Sequence, residues 1–212
     1  MQPTTRIFPT SYFPSIALAA AMVQSGDVPV EVNETFPKQT HRNRTVIMTA
    51  AGPETLSVPV VRPDGTHTRT GDIRISYAEK WNLIHWRAIV SAYNASPFFL
   101  YYRDDFEKIL MRRYDLLTEL NEELLAMLFK KIKADCSISH TETFIKPGAE
   151  GVDDYRDRYN YKHPDKNINY PTYTQVFSDR MPFNGNVSVL DLLFNLGPET
   201  KGYLLNIMFH GC

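Results

Sequence analysis

The sequence is poor in cysteine, in long apolar runs and in charge of one sign. Two cysteines, Cys136 and Cys212, among 212 residues make no disulfide framework, so we expect a reducing, cytoplasmic setting. The most apolar stretch, Ile16 to Val23, is far shorter than the roughly 20 residues of a transmembrane helix and lacks the features of a signal peptide. A formal net charge of -1 gives no overall attraction to nucleic acid, so an anion site requires a local group of cations.

Several motifs with well-defined chemistry are also missing. The chain has no Gly-rich phosphate loop, no dinucleotide-binding glycine motif and no nucleophile elbow, so P-loop hydrolysis, Rossmann redox chemistry and serine hydrolysis are not expected. It has no Cys-x-x-Cys pair and no H-E-x-x-H, so we expect no metal and no bound cofactor. His210 and Cys212 could form half a metal site, but a frayed terminus is the commoner meaning of such a pair.

The patterns that are present predict one α+β domain over residues 1–212. Its sheet is expected to be mixed, with an N-terminal strand–helix–strand unit and a hairpin, followed by a largely helical second half. Pro29 within the second strand favours an edge or strand-start position. The predicted strands are 6–8, 28–32, 45–49, 56–60 and 72–76, and the predicted helices are 15–24, 79–93, 98–113, 116–133 and 188–196.

The segment over about 146–186 differs from the rest of the chain in composition, because it is rich in proline and tyrosine. A connection of this length in a compact domain is usually a lid, a binding loop or a disordered stretch. Its many tyrosines favour order against some surface. The sequence leaves open whether that surface belongs to this chain, to a substrate or to a partner.

A set of short motifs runs along nearly the whole chain. The motifs are Tyr12-Phe13-Pro14, Asn43-Arg44, Val58-Pro59-Val60, Trp81 with His85, Tyr93, Ser96-Pro97-Phe98-Phe99, Tyr170 to Phe177 and Ser188 to Leu193. Taken in order, this set resembles the WbqC-like family of bacterial proteins. The resemblance implies an association with O-antigen and other cell-surface polysaccharide clusters, and a transferase role on a sugar or aminosugar. At the second strand, family members tend to show an acidic pair, where this chain has Val32-Asn33-Glu34-Thr35.

The basic stretch Lys38 to Arg44 is the first candidate site. In a strand–helix–strand unit, the loops after both parallel strands leave the same sheet edge, where open sheets bind ligands. Ser11, Tyr12 and this loop should therefore be neighbours, with the N-terminus of the first helix directed at them. Together they could bind phosphate, although an exposed basic loop paired with surface carboxylates would look the same in sequence. The candidate binding residues are Ser11, Tyr12, Lys38, Arg42, Asn43 and Arg44.

Two histidines are candidates for proton transfer. His85 or His41 could act as a general base on an amine or hydroxyl, but His85 falls on the inward side of its helix and could equally be a packed core residue. Tyr173 and Gln175 could line a lid over a sugar or form an alternating edge strand. Asp191 follows Ser188 at the spacing of a capping box, which explains the carboxylate without catalysis.

These expectations combine into two alternative functions. The first is a small transferase-like enzyme acting on a phosphate-bearing or nucleotide-activated sugar or aminosugar, with the tyrosine-rich residues 150–180 closing over the site. The second is a non-catalytic protein that docks a protein partner through the same tyrosine-rich segment, since tyrosine is enriched in interfaces.

Overall fold

A computed structural model of the chain describes residues 4–159, 161 and 168–209; His210 and Cys212 lie outside this part. The elements follow the α+β pattern predicted from the sequence. They are β1 (Thr5–Pro9), α1 (Ile16–Ser25), β2 (Asp27–Glu31), β3 (Arg44–Thr49), β4 (Gly52–Ser57), β5 (Val60–Val61), β6 (Arg74–Ile75), α2 (Trp81–Tyr93), α3 (Phe99–Met111), α4 (Leu117–Ile132), β7 (Ser137–His140), β8 (Val152–Asp154), β9 (Ile168–Asn169), α5 (Val189–Leu196), α6 (Thr200–Leu205) and β10 (Met208–Phe209).

The main sheet has four strands in the order β7-β2-β1-β8, and every pairing in it is parallel. The strand–helix–strand prediction is confirmed, since β1 and β2 flank α1 and pair with Phe8 opposite Val30. Because all four strands run the same way, their carboxyl ends meet at one edge. The loops that follow them are therefore brought together.

Of the two positions expected from Pro29, the edge is wrong, because β2 lies inside the sheet between β7 and β1. Pro29 is tolerated because the pairing with β1 begins one residue later, at Val30, so the missing N–H falls before that ladder starts. Strands β7 and β8 were also not foreseen, since each has at most four residues and few apolar ones.

Antiparallel pairs and helices complete the fold. Strands β3 and β4 form the predicted hairpin, and β5 pairs with β6. Helix α1 is buried along nearly its whole length because its alanines allow neighbours to approach closely. Its first amides are already bonded, with Leu18 donating to the Ser15 hydroxyl and Ile16 to the Val187 carbonyl. None of the described helices is both long enough and apolar enough to cross a membrane.

Candidate active site at the carboxyl edge of the parallel sheet

Charged residues end or follow two of the four parallel strands, β2 and β8, where each reaches the common edge. Glu31 ends β2, Glu34 follows it, and Asp154 ends β8 with Arg156 two residues later. Glu31 and Arg156 are buried. Ionised side chains are rarely buried unless they are paired, so these charged groups need partners at the edge.

Glu31 is the anchor of this network. Its Oε1 accepts from the Asn33 amide at 2.7 Å and from the Thr141 hydroxyl at 2.9 Å, and its Oε2 accepts from the Ile145 amide at 2.8 Å. One carboxylate thus ties together the loops after β2 and β7. Its side chain is fully buried, so its role is to hold the edge in place rather than to meet a ligand.

Arg42 enters the same edge from the basic loop. Its Nε donates to Glu34 at 2.7 Å, and its side chain has 0% exposure. Arg156 lies on the other side of Glu34, with 3.7 Å between its Nη1 and the Glu34 Oε2, and it also pairs with Asp154. Both Nη atoms of Arg42 are buried without a hydrogen bond to any residue that the structure describes. The closest further carboxylate is that of exposed Asp157, 3.6 Å from Nη1.

Glu34 is the titratable group of this edge. Burial raises the pKa of Glu34 above its usual value, and this outweighs the opposing effect of the positive charges on Arg42 and Arg156. A carboxyl group with a raised pKa beside a pocket is a candidate general acid or base. The pocket here has a volume of about 420 Å³. It is lined by Glu34, Pro147, Gly148, Asp154, Arg156, Asp157 and Arg158.

The predicted basic cluster does not converge on one ligand site. Lys38 is exposed, whereas Arg42 is neutralised by Glu34. The Asn43 amide donates to the Val58 carbonyl at 2.8 Å and so pins the end of the hairpin. Arg44 begins β3 and lines a separate small slot with His41. With the first amides of α1 also occupied, the expected phosphate pocket of three cations and a helix N-terminus is not assembled in this form.

Ser11 and Tyr12 do lie against the loop, as expected. The Ser11 hydroxyl and the Tyr12 amide both donate to the His41 carbonyl, at 3.3 and 3.1 Å. Both residues are buried. They therefore position the loop backbone and offer no side-chain surface to a ligand.

His85 is packed in the core. Its Nδ1 lies 3.0 Å from the Tyr12 hydroxyl, its ring contacts that of Trp81, and its exposure is 5%. Burial lowers its pKa to about 4, against a smaller opposing effect from the Ser57 backbone. Of the two alternatives for His85, this placement agrees with the packed core residue. The proton-transfer role remains a prediction without an accessible partner.

Tyr173 and Gln175 contact Asp191 instead of facing a pocket. The Tyr173 hydroxyl donates to the Asp191 Oδ1 at 2.6 Å and the Gln175 amide to the same atom at 2.8 Å. Asp191 has 0% exposure, and burial raises its pKa. The capping-box interpretation was right for Ser188, which caps α5, and wrong for the Asp191 carboxylate. The Ser188 amide donates to the Val46 carbonyl, and the carboxylate instead holds the 170–186 segment against the helix.

The described tyrosines of the 146–186 segment turn inward. Tyr155 stacks on Phe8 at 4.9 Å between ring centroids, and Tyr159 stacks on Phe209 at 5.2 Å. Tyr161 bonds to the Thr45 hydroxyl and to the Phe13 carbonyl. These rings complete the chain's own core.

Comparison with known proteins agrees with the resemblance seen in the sequence. The sequence model of the WbqC-like protein family matches residues 10–158. The chain belongs to the WbqC-like protein family. An uncharacterized protein of Mycobacterium tuberculosis, Rv1507c, is 26% identical over 196 residues, covering 80% of this chain and 83% of that protein. No solved structure matches the chain.

The residues of the carboxyl edge all lie within the part that matches the family, whereas Tyr173, Gln175 and Asp191 lie beyond it. Sequence reasoning found Arg42 but missed Glu31, Glu34, Asp154 and Arg156. A signal for Glu31 was available, because a glutamate directly after alternating valines ends the second strand at the ligand-binding edge. Asp154 and Arg156 gave no comparable signal, since β8 itself was not predicted.

Proposed function

We propose that this protein is a group-transfer enzyme that modifies an amine- or hydroxyl-bearing sugar in the pocket at the carboxyl edge of its parallel sheet. The observation that carries the proposal is Glu34, a partly buried carboxyl group with a raised pKa that borders this pocket. In this role Glu34 takes the proton from the attacking amine or hydroxyl group of the acceptor, while the bond between the transferred group and its nucleotide-activated donor breaks and the nucleotide leaves. Such a base typically contributes a factor of about 10² to 10⁴ in rate.

Arg42 and Arg156 support this role by fixing the base. Nε of Arg42 holds one oxygen of Glu34 at 2.7 Å, and the second oxygen faces Nη1 of Arg156 at 3.7 Å. Buried guanidinium groups on both sides keep the carboxylate in one orientation. A positioned base of this kind does not have to reorganise before it accepts a proton.

The composition of the pocket favours a polar sugar over a free phosphate. Three carboxylates, Glu34, Asp154 and Asp157, face two guanidinium groups, Arg156 and Arg158. Carboxylates accept from hydroxyl or ammonium groups and guanidinium groups donate to sugar oxygens, whereas a phosphate would compete with these carboxylates for the guanidinium groups. The half-exposed ring of Phe144, 5.9 Å from the Arg156 guanidinium carbon, offers an aromatic face to a sugar ring.

A phosphate-bearing or nucleotide-activated donor remains part of the proposal, and the binding test includes it. Thermal unfolding is followed with a panel of aminosugars, neutral sugars and nucleotide sugars. A ligand at 100 times its Kd adds about 2.7 kcal/mol, which raises the Tm of a chain of this length by roughly 5–10 °C. If no member of the panel raises the Tm, the proposal fails.

Glu34→Gln then tests the base itself. The amide keeps an oxygen for the Nε of Arg42 but cannot take a proton. We expect the binding of a sugar from the panel to persist and its turnover, followed as a mass increase of the sugar when a donor is added, to fall by about 10² or more. Glu142→Gln, an exposed carboxyl on the neighbouring loop, is the matched control and should keep wild-type turnover. Equal turnover in Glu34→Gln and the control contradicts the assignment of the base.

A further inference from the structure

A second, smaller cavity lies beside the β3–β4 hairpin and is separate from the pocket of Glu34 in its lining residues. Its volume is about 50 Å³, room for a few non-hydrogen atoms. Two neighbours in sequence serve the two sites, since Arg42 pairs with Glu34 while His41 lines this slot. The slot is lined by Gln39, Thr40, His41, Arg44, Val46, Thr55 and Tyr161.

Polar atoms in the slot lack protein partners. His41 is 3% exposed, yet neither of its ring nitrogens makes a hydrogen bond of normal geometry within the described part of the chain. The same is true of the buried Nε of Arg44. Buried polar groups in native proteins are almost always satisfied by protein, water or ligand. The slot therefore presents unmet hydrogen-bonding capacity from two side chains.

The protonation state of His41 defines what it can offer. Burial, together with the positive charge of Arg42, lowers its pKa to about 3, so the ring is neutral at pH 7. A neutral imidazole has one N–H donor and one acceptor nitrogen. The Arg156 backbone favours protonation of the ring, so a proton on that side would leave the other nitrogen as an acceptor. The Nε–H of Arg44 adds a donor.

The rest of the wall is suited to a small apolar group. Val46 and Thr55 are opposite each other in the hairpin register and contribute methyl groups to the slot. A ligand that matches all of these features carries one acceptor, one donor and a methyl group within a few atoms. A carboxylate would satisfy Arg44 but would present lone pairs to the acceptor nitrogen of His41.

We propose that this slot is a binding subsite for a small acylamido group, CH3–CO–NH–, of the kind carried by an N-acetylated aminosugar. The carbonyl oxygen accepts from Nε of Arg44, the amide N–H donates to the acceptor nitrogen of His41, and the methyl group contacts Val46 and Thr55. The sugar identity of the ligand rests on the proposed function; the acylamido chemistry rests on the slot alone.

Calorimetric titration of the full chain tests this with four probes: N-acetylglucosamine, glucosamine, N-butanoylglucosamine and acetate. We expect N-acetylglucosamine to bind at least tenfold more tightly than glucosamine, because only the former fills the slot. The longer butanoyl chain should lose most of that advantage, since the cavity holds only a few atoms. Equal affinity for the acetylated and free amine, or acetate binding as tight as the acetylated sugar, overturns the proposal.

A blocking variant avoids disturbing the core. Thr55 is exposed on β4, and Thr55→Phe places a ring over the slot at a position where a strand tolerates aromatic residues. The preference for the acetylated sugar should vanish in this variant. Glu54→Phe is the matched control, because the neighbouring side chain points to the opposite face of the strand, and it should retain the preference. A preference that survives Thr55→Phe places the acyl group elsewhere and rejects the slot.

The outcome separates this inference from the proposed function. If the acetyl preference is absent while Glu34→Gln abolishes turnover, the slot assignment fails and the enzyme assignment stands. If the preference depends on Thr55 while Glu34→Gln keeps full turnover, the slot stands and the base assignment fails.

Discussion

Replacing His41 or His85 by glutamine tests whether the fold keeps these two imidazoles uncharged. Burial is the main cause that lowers the pKa of His41 to about 3 and that of His85 to about 4. In the unfolded chain each returns to about 6.5. Below pH 6.5 these imidazoles are protonated in the unfolded state but not in the folded state. The free energy of unfolding is therefore highest above pH 6.5 and falls as the pH drops below it.

The magnitude follows from the distance between the assay pH and the unfolded pKa. At pH 5.0 an unfolded imidazole lies 1.5 units below its pKa of about 6.5, and each unit corresponds to about 1.4 kcal/mol. Each of the two histidines should then destabilise the fold by about 2 kcal/mol between pH 7.5 and pH 5.0, and the pair by about 4 kcal/mol. This is a large part of the roughly 5–15 kcal/mol that stabilises a typical domain.

Urea denaturation at pH 7.5 and pH 5.0 measures the effect as a difference within each variant. Buried carboxyl groups with raised pKa values, Glu34 and Asp191, act in the opposite direction, so the wild-type difference alone is not decisive. His41→Gln and His85→Gln should each reduce the loss by about 2 kcal/mol, whatever their stability at pH 7.5. His67→Gln, on the surface, should keep the wild-type loss. If the two buried variants also keep it, the imidazoles are not excluded from protonation and the reasoning is wrong.

Two further changes probe the contacts around the site. Asn121→Ala removes the amide that donates to the Arg42 carbonyl at 2.8 Å and to the Thr10 hydroxyl at 2.9 Å. Because those buried acceptors then lack a donor, the free energy of unfolding in urea denaturation should fall by about 1–3 kcal/mol. An unchanged value would show that water replaces the amide. Asp191→Asn keeps an oxygen for Tyr173 and Gln175 but removes a buried charge. The raised pKa of Asp191 makes its ionisation costly in the folded state. The free energy of unfolding of this variant should therefore rise relative to that of the wild type as the pH increases from 4 to 7. A fall relative to the wild type would contradict this.

Helices and strands could be predicted wherever apolar residues recur in the sequence at helical or strand spacing. Long apolar patterns placed α2, α3 and α4 within a few residues of their observed ends, and two β-rich runs placed the hairpin, although Gly52 and Pro53 begin β4 instead of forming its turn. Strands β7 and β8 were not predicted, because they have only four and three residues and are rich in serine and aspartate. Their stability comes from parallel partners far along the chain, and no local pattern encodes such a partner.

The sequence predicted where the site lies but not which side chains form it. Chain topology correctly brought the 38–44 loop to Ser11 and Tyr12 at the carboxyl edge. The direction of each side chain could not be foreseen. Within that loop Arg42 points to Glu34 and His41 to the slot, while Lys38 stays exposed. Burial and pairing depend on residues from β2 and β8, which only the folded chain assembles.

The carboxylates of the edge change the meaning of the basic loop. Counted in sequence, Lys38, Arg42 and Arg44 suggest a site for an anion. In the folded protein Glu34 already neutralises Arg42, and Asp154 holds Arg156. A guanidinium group that is buried and paired no longer attracts an anion with its full charge; its main effect is to orient the carboxylate beside it. These pairings support the proposed proton transfer at a polar, uncharged or ammonium-bearing acceptor, and in that proposal any phosphate of the donor lies away from Glu34.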